Sequence, residues 1–421
     1  MNILFLTQLL PYPLVGGQKI RAYYMLRQLA LNHDVTLVSF TREDDRFEDI
    51  EHLREFCTAV HSIPMQRSMF KNVQAAVESL LTRQSMVITR DRLPAMQEFL
   101  RRLVNSVNFD VIHADQTAMA QYALYAQANA ANEPRTILDQ HNALYLVVER
   151  QANYERGRLQ RLLWQWEAKR LAAYEADICR RFDHVITVTQ EDKDALLRLY
   201  PSDEAEYLAA HFSPLPICVD PFKQQLLPRA DADPQIIFLG TMFWPPNVEG
   251  VLWFAQEILP LILKRMPQAR FKIVGKNPPT AVSDLQTFGS HVDVTGFVAD
   301  IKPLLASSRV FVVPLLAGGG MRVKILDAWQ WGLPVVSTTI GAEGIQLVNG
   351  ENILLADAPQ AFADAVVAVL ADFELARRLR ENGRFWVQNQ YNWRNIYPQL
   401  DAVYSAAACK KQMSDPKFTM S

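Results

Sequence analysis

The densest run of potential chemistry in this 421-residue chain is PLLAGGGMRVKILDAWQWGLPVVST, residues 314–338. A strand-like run ends at Pro314, three glycines follow, and the pattern predicts a helix from about Met321. Val323, Leu326, Ala328 and Trp331 supply its apolar face, Gly332 its stop, and Pro334 opens the next strand. Gly318, Gly319 and Gly320 leave backbone amides exposed at a helix start, where the macrodipole contributes roughly half a positive charge. Arg322 and Lys324 add formal charge beside them. Amides plus cations in this arrangement suit two phosphates. Asp327 sits further along the same helix, where a carboxylate can accept hydrogen bonds from ribose hydroxyls.

Three other groups end strand-like runs. PLVGGQKIR (13–21) follows the first run, and Gly16 and Gly17 let backbone approach a ligand closely before a helix begins. A glycine pair is also what an ordinary turn uses, and no GxGxxG or Walker sequence occurs. His113 in DVIHADQ and His141 in TILDQHNAL could each orient, or share a proton with, a substrate hydroxyl. Alternatively, each could bond a neighbouring carbonyl. Asp115 and Asp139 are near enough in sequence to orient either ring. The third group lies towards the other end of the chain: GTMFWPPNVEG (240–250) with Gly240 and a helix capped by Asn247, Lys276 in GKNPP, and Phe297 and Val298 in TGFVAD. Trp244 and Phe297 could stack on a base or belong to the core.

Strands and helices must alternate to place these groups. NILFLT (2–7), VTLVSF (35–40), DVIH (110–113), RTILD (135–139) and HVITVT (184–189) read as buried strands with helical segments between them. After a proline-rich stretch the rhythm restarts with QIIFLG (235–240), RFKIVG (270–275), VDVTG (292–296), RVFVVP (309–314) and LPVVST (333–338). Continuous apolar strands separated by helices predict parallel sheets covered on both faces. The expected fold class is therefore α/β, with two doubly wound Rossmann-like domains facing a cleft and a linker near residues 213–234. Ligands of such sheets bind beyond the strand C-termini.

Composition narrows the class further. The chain has 43 basic and 45 acidic residues, so no bulk charge draws it to nucleic acid. Cys57, Cys179, Cys218 and Cys409 form no CxxC pair and read as reduced thiols. MNILFLTQLL lacks a basic start and an A-x-A cleavage site. No apolar run reaches membrane-spanning length. These features predict a cytoplasmic protein.

The sequence resembles the retaining, nucleotide-sugar-dependent glycosyltransferases of family 4, which have the GT-B fold. The likeness covers nearly the whole chain and is strongest in residues 314–345 and 238–262; DQHN (139–142), VTQEDKDAL (188–196) and PICVDPF (216–222) also fit. The resemblance implies an acceptor-side domain over 1–222, a nucleotide-sugar domain over 223–388, and a segment 389–421 that crosses back to the first. It implies a catalytic role for His141 beside the donor sugar. Gly16 and Gly17 would contact the donor phosphates and the acceptor, and Asp327 would hold the ribose where the family has a glutamate. Gly319 stands where the first glutamate of the family's pair is usual, and the basic pair expected in 240–250 is absent. The amides of residues 318–321, Met321 included, with Arg322 and Lys324 would then meet the diphosphate. Of the two cations, Arg322 is preferred for its bidentate reach. Gly240, Lys276, Phe297 and Val298 complete the expected donor contacts.

Transfer with retained configuration follows from that likeness, to a sugar, lipid-linked or other hydroxyl acceptor. The nucleotide sugar would be a co-substrate, with no metal or other cofactor. Two rivals stand beside it: a nucleotide-sugar epimerase or hydrolase, and a catalytically degenerate partner in a polysaccharide assembly complex. Residues 69–104 and 156–175 are basic and amphipathic, which suits a peripheral contact at the inner face of a membrane. Helices packed on their own domain explain both segments as well, and that is the reading preferred here.

Overall fold

The computed structural model describes residues 1–65, 78–79, 82, 84–154, 157–223, 226, 234–242 and 244–409. The chain divides into two units, Met1–Cys218 with Ile396–Ser421, and Val219–Asn395. The first crossing thus falls a few residues before the expected boundary at 222, and the second a few after 388. Both have a local cause. Val219 and Asn392 form a parallel bridge, and the Val219 carbonyl accepts from the Trp393 amide, which keeps this pair of segments in the second unit.

The first unit is a seven-stranded parallel sheet of order β3-β2-β1-β4-β5-β6-β7. Its strands are β1 (Asn2–Thr7), β2 (Asp34–Thr41), β3 (Ala59–Pro64), β4 (Val111–Asp115), β5 (Arg135–Gln140), β6 (His184–Thr187) and β7 (Phe212–Pro214). Ile3, Leu4, Phe5 and Leu6 are wholly buried, as a strand covered on both faces requires. The helices that matter to the site are α1 (Gly17–Leu29), α2 (Leu144–Tyr154), α3 (Arg158–Arg181) and α4 (Gln190–Leu197).

The second unit is a six-stranded parallel sheet of order β10-β9-β8-β11-β12-β13. It contains β8 (Gln235–Leu239), β9 (Arg270–Val274), β10 (Val292–Gly296), β11 (Val310–Val313), β12 (Val335–Ser337) and β13 (Leu354–Leu355). Helix α5 spans Pro245–Trp253, α6 Val323–Gln330, and α7 Phe373–Gln390. Trp329 is the largest fully buried side chain; its indole donates to the Asn352 carbonyl and packs on Gly383 of α7, where a Cβ would stand 2.4 Å from the ring. The final helix α8 (Gln399–Cys409) returns to the first unit and buries Leu400 and Tyr404 completely.

Of the two basic amphipathic segments, the described part of 69–104 packs as expected, with Met96, Leu100 and Val104 buried. The other divides. Helix α3 buries one face from Glu167 onwards, through Ala168, Leu171, Glu175, Ile178 and Cys179, but Leu159, Leu162, Leu163, Trp164 and Trp166 are exposed, so packing on its own domain does not account for its first turns.

Candidate active site

In each sheet the strand order reverses between two neighbours, β1 and β4 in the first unit, β8 and β11 in the second. The loops leaving the C-terminal ends of such strands part to opposite faces and leave a crevice. Parallel register sets the rest. Asp115 and Asp139 are Cα partners on β4 and β5, so two carboxylates stand side by side at the sheet edge.

Two like charges in one low-dielectric place demand partners of opposite sign. Arg21, wholly buried in the second turn of α1, donates from Nε and Nη2 to the two Asp139 oxygens, both at 2.7 Å, and from Nη1 to the Leu215 carbonyl at 2.7 Å. Gly16 makes this geometry available: its φ of +84° turns the chain from the loop into α1. His141, just past β5, places Nε2 2.8 Å from Asp115 Oδ1 and 3.3 Å from Asp139 Oδ2. Burial alone would lower the imidazole's proton affinity, but Asp115 and Asp139 overcome it and raise the pKa to about 9. Burial likewise works against the Asp139 carboxylate, and Arg21 and then His141 hold it well below the usual range. His141 is therefore an imidazolium at neutral pH. Its Nδ1 has no hydrogen-bond partner among the described residues, which leaves one N–H to donate.

His113 takes a different role from His141. It lies within β4, stacks on Phe5 at 4.0 Å, and pairs through Nδ1 with the Tyr404 hydroxyl of α8 at 2.7 Å. Burial pushes it down to about 4, so it is neutral. His113, Asp115 and Asp139 bring ligand-type atoms within 4.8 Å of one another. Both carboxylates, however, are already answered by Arg21 or His141, which makes the group a closed ion network rather than an open donor set.

The second unit's edge carries less charge and more backbone. Loop 314–322 leaves β11, with Gly318 at φ +131° and Gly320 at φ +73°, and α6 starts at Val323 rather than Met321, whose side chain is buried. Arg322, the residue preceding the helix, folds back and donates to the Gly319 carbonyl; a Cβ on Gly318 would meet its Nη2 at 2.6 Å. Lys324 points elsewhere. Its Nζ donates to Asn247 Oδ1 at 2.9 Å and lies 4.4 Å from the centre of the Phe238 ring. Burial, then Arg322, lowers the amine to about 7 against a weaker pull from Asp327. Burial raises Asp327 to about 7. Asn247 does not cap α5 as expected; it sits in the first turn, donates to the Thr241 carbonyl and accepts from Lys324. A Cβ on Gly240 would come within 2.9 Å of Asn247 Nδ2.

Two family models match this chain, Glycosyltransferase Family 4 over residues 15–207 and Glycosyl transferases group 1 over residues 233–372. The chain belongs to the GT-B glycosyltransferases. Among solved structures, a sucrose-phosphate synthase from Thermosynechococcus elongatus aligns with a TM-score of 0.69 at 20% identity, covering 96% of this chain and 99% of that one. Anabaena HepE, solved with UDP and glucose, aligns with a TM-score of 0.66 at 15% identity, covering 96% and 100%. In sequence, an uncharacterised 44.6 kDa protein in the cps region of Klebsiella pneumoniae is 21% identical over 93% of this chain and 96% of its own length. A phosphatidyl-myo-inositol mannosyltransferase of Mycobacterium leprae is 28% identical, over 41% of this chain and 46% of that relative.

In this glycosyltransferase, Gly16, Gly17 and His141 lie at the switch-point edge of the first sheet, and Gly240, Gly318–Gly320, Met321, Arg322, Lys324 and Asp327 near that of the second. Lys276 and Phe297 are exposed beyond β9 and β10, with Val298 half-buried. Arg21 was missed by the sequence reading, because its partner is 118 residues away. Asn247 was assigned a different task. No helix among the described residues is long and apolar enough to cross a membrane.

Proposed function

We propose that this glycosyltransferase moves a sugar from a nucleoside-diphosphate sugar to a hydroxyl acceptor with retention of anomeric configuration, in the synthesis of a cell-surface polysaccharide or glycolipid. The second unit would hold the donor diphosphate on the amides of residues 318–321, with Lys324 and Arg322. The observation that carries this reading is Lys324. It starts in the glycine-loop helix and reaches Asn247 in the first turn of α5, delivering charge to the 240–250 loop, which has no basic residue. A half-buried amine whose charge is suppressed by its surroundings gains most from an arriving anion.

Asp327 would take the ribose. His141 would act as a donor to a sugar hydroxyl through Nδ1, since its raised pKa leaves no free lone pair for a general base. As the bond from the anomeric carbon to the diphosphate oxygen breaks, the acceptor oxygen bonds to the same face. Its proton passes to the departing oxygen, whose charge the amides and Lys324 stabilise. This path uses no metal and no other cofactor. The mannosyltransferase and cps-region relatives, and HepE with bound UDP and glucose, support a nucleotide sugar and a glycoconjugate product. A lipid-linked acceptor is favoured by α3, where Leu159, Leu162, Leu163 and Trp166 form an exposed stripe flanked by Arg158 and Arg161.

The test is incubation with labelled UDP-, GDP-, ADP- and CMP-sugars and a lipid extract. Transfer of label to lipid supports the proposal. Free sugar or an epimer as the sole product would replace it with hydrolysis or epimerisation, and binding without turnover with a non-catalytic role.

A further inference from the structure

We infer that Glu175 is a positioning residue for His141, gripping the chain on both sides of it. This rests on the reading of His141 as the group that meets the reacting sugar. Glu175 lies on α3 and is wholly buried. Its Oε1 accepts from the Leu144 amide at 2.9 Å and its Oε2 from the Tyr145 amide at 2.8 Å, the first two residues of α2. Glu175 Oε1 also receives Gln140 Nε2 at 3.4 Å, and the Gln140 side-chain oxygen, Oε1, receives the Thr117 hydroxyl at 2.5 Å. One carboxyl group, which burial raises to about 8 against the pull of the two amides, thus contacts the residue immediately before His141 and the third and fourth residues after it. Asp192 completes the hold by accepting the Ala143 amide at 3.0 Å, itself fixed by the Thr189 hydroxyl at 2.6 Å.

Helix starts need acceptors, and a helix in this place could have taken a serine or aspartate from the local chain. Instead the acceptors come from α3 and α4, more than 30 residues further along. The loop between Gln140 and Leu144 is too short to absorb movement at either end, so its His141 ring inherits the precision of the two carboxyl groups. Their burial is costly without donors, and the amides of residues 143–145 are those donors. The geometry therefore links the rotamer and placement of His141, and through them its bonds to Asp115 and Asp139, to a residue that touches neither substrate nor imidazole.

The experiment compares wild type with Glu175→Gln, which keeps the volume but turns an N–H towards one amide. Three quantities are read: the His141 ring titration by NMR, kcat against KM for the donor, and calorimetric affinity for the nucleoside diphosphate. The expected result is a His141 pKa displaced towards the ordinary histidine value, kcat lower by about tenfold to a hundredfold, and diphosphate affinity within about twofold. Glu204→Gln, which removes an exposed ion pair to Arg180 on the same helix, should change none of the three. If Glu175→Gln fails to fold, Thr117→Val makes the same test by releasing Gln140, with a smaller displacement in the same direction. An unmoved His141 titration in a folded variant overturns the inference, as does a loss of activity that only follows the folded fraction. The titration needs no turnover, so failure of the clamp and failure of the catalytic reading remain distinguishable: the latter would show as an active His141→Ala enzyme.

Discussion

The edges of the two sheets use the same kinds of side chain to opposite effect. In the first unit Arg21, Asp139, His141 and Asp115 answer one another at hydrogen-bonding distance, so the site is neutral and rigid before any ligand arrives. In the second, Lys324 faces an amide oxygen and a ring, and no carboxylate lies within ion-pair distance of it among the described residues. A closed network holds a group in one orientation; an amine without a counter-ion gains its partner from the substrate. Under the proposed function, the first unit would orient the reacting sugar and the second would recognise charge.

Breaking the first arrangement should have the largest effect. His141→Ala should lower transfer by ~100- to 10,000-fold, with nucleoside-diphosphate affinity nearly unchanged. Turnover assayed at saturating donor checks the first part, and an undiminished rate would remove His141 from the site. Next, Arg21→Met leaves the buried Asp115 and Asp139 to share the one imidazolium of His141 and should cost about 3–5 kcal/mol of stability, measured by urea unfolding. Converting Asp139 to Asn in the same chain should recover part of that loss, because it removes the excess negative charge.

The two histidines of the first unit also predict opposite pH responses. His141 binds its proton more tightly in the folded chain, with a pKa of about 9 against an ordinary 6.5. Its stabilisation is therefore complete below pH 6.5 and lost as pH rises through 9. Each factor of ten in proton affinity is worth about 1.4 kcal/mol, so the alkaline loss should approach about 3 kcal/mol. His113 is lowered to about 4, so it penalises the folded state as pH falls from 6.5 towards 4. The difference in unfolding free energy between wild type and His141→Ala should therefore shrink from pH 6.5 to 9, and that between wild type and His113→Ala should move in favour of wild type from pH 4.5 to 6.5. A wild-type advantage over His141→Ala that grows from pH 6.5 to 9 would contradict the imidazolium at position 141.

How much of this was legible in the sequence depended on how local the cause was. NILFLT coincides with β1 residue for residue, because a run covered on both faces shows as uninterrupted apolar character. VDVTG coincides with β10 although only Val292 of that edge strand is buried. Strand β3, AVHSIP, alternates and is polar enough to escape that signal, and β13 is only two residues long. The glycine loop and the cations of 318–324 were legible because they stand in consecutive residues. The Arg21–Asp139 pair, the Tyr404–His113 bond and the Glu175 clamp were not, since their partners come together only through sheet register and a returning helix. For the same reason the sequence favoured Arg322 over Lys324. Nothing in the order of residues shows that one folds back onto Gly319 while the other crosses to Asn247.

That crossing is what the whole assignment depends on, and titration calorimetry of a nucleoside diphosphate against Lys324→Met tests it. Methionine keeps the stem over Phe238 and removes the charge. A charged hydrogen bond of this kind is worth roughly 1.5–3 kcal/mol, so affinity for the diphosphate should fall about tenfold or more. Affinity for the bare nucleoside should not change, and Arg322→Ala should lose less than Lys324→Met. Equal diphosphate affinity in wild type and Lys324→Met would contradict the account.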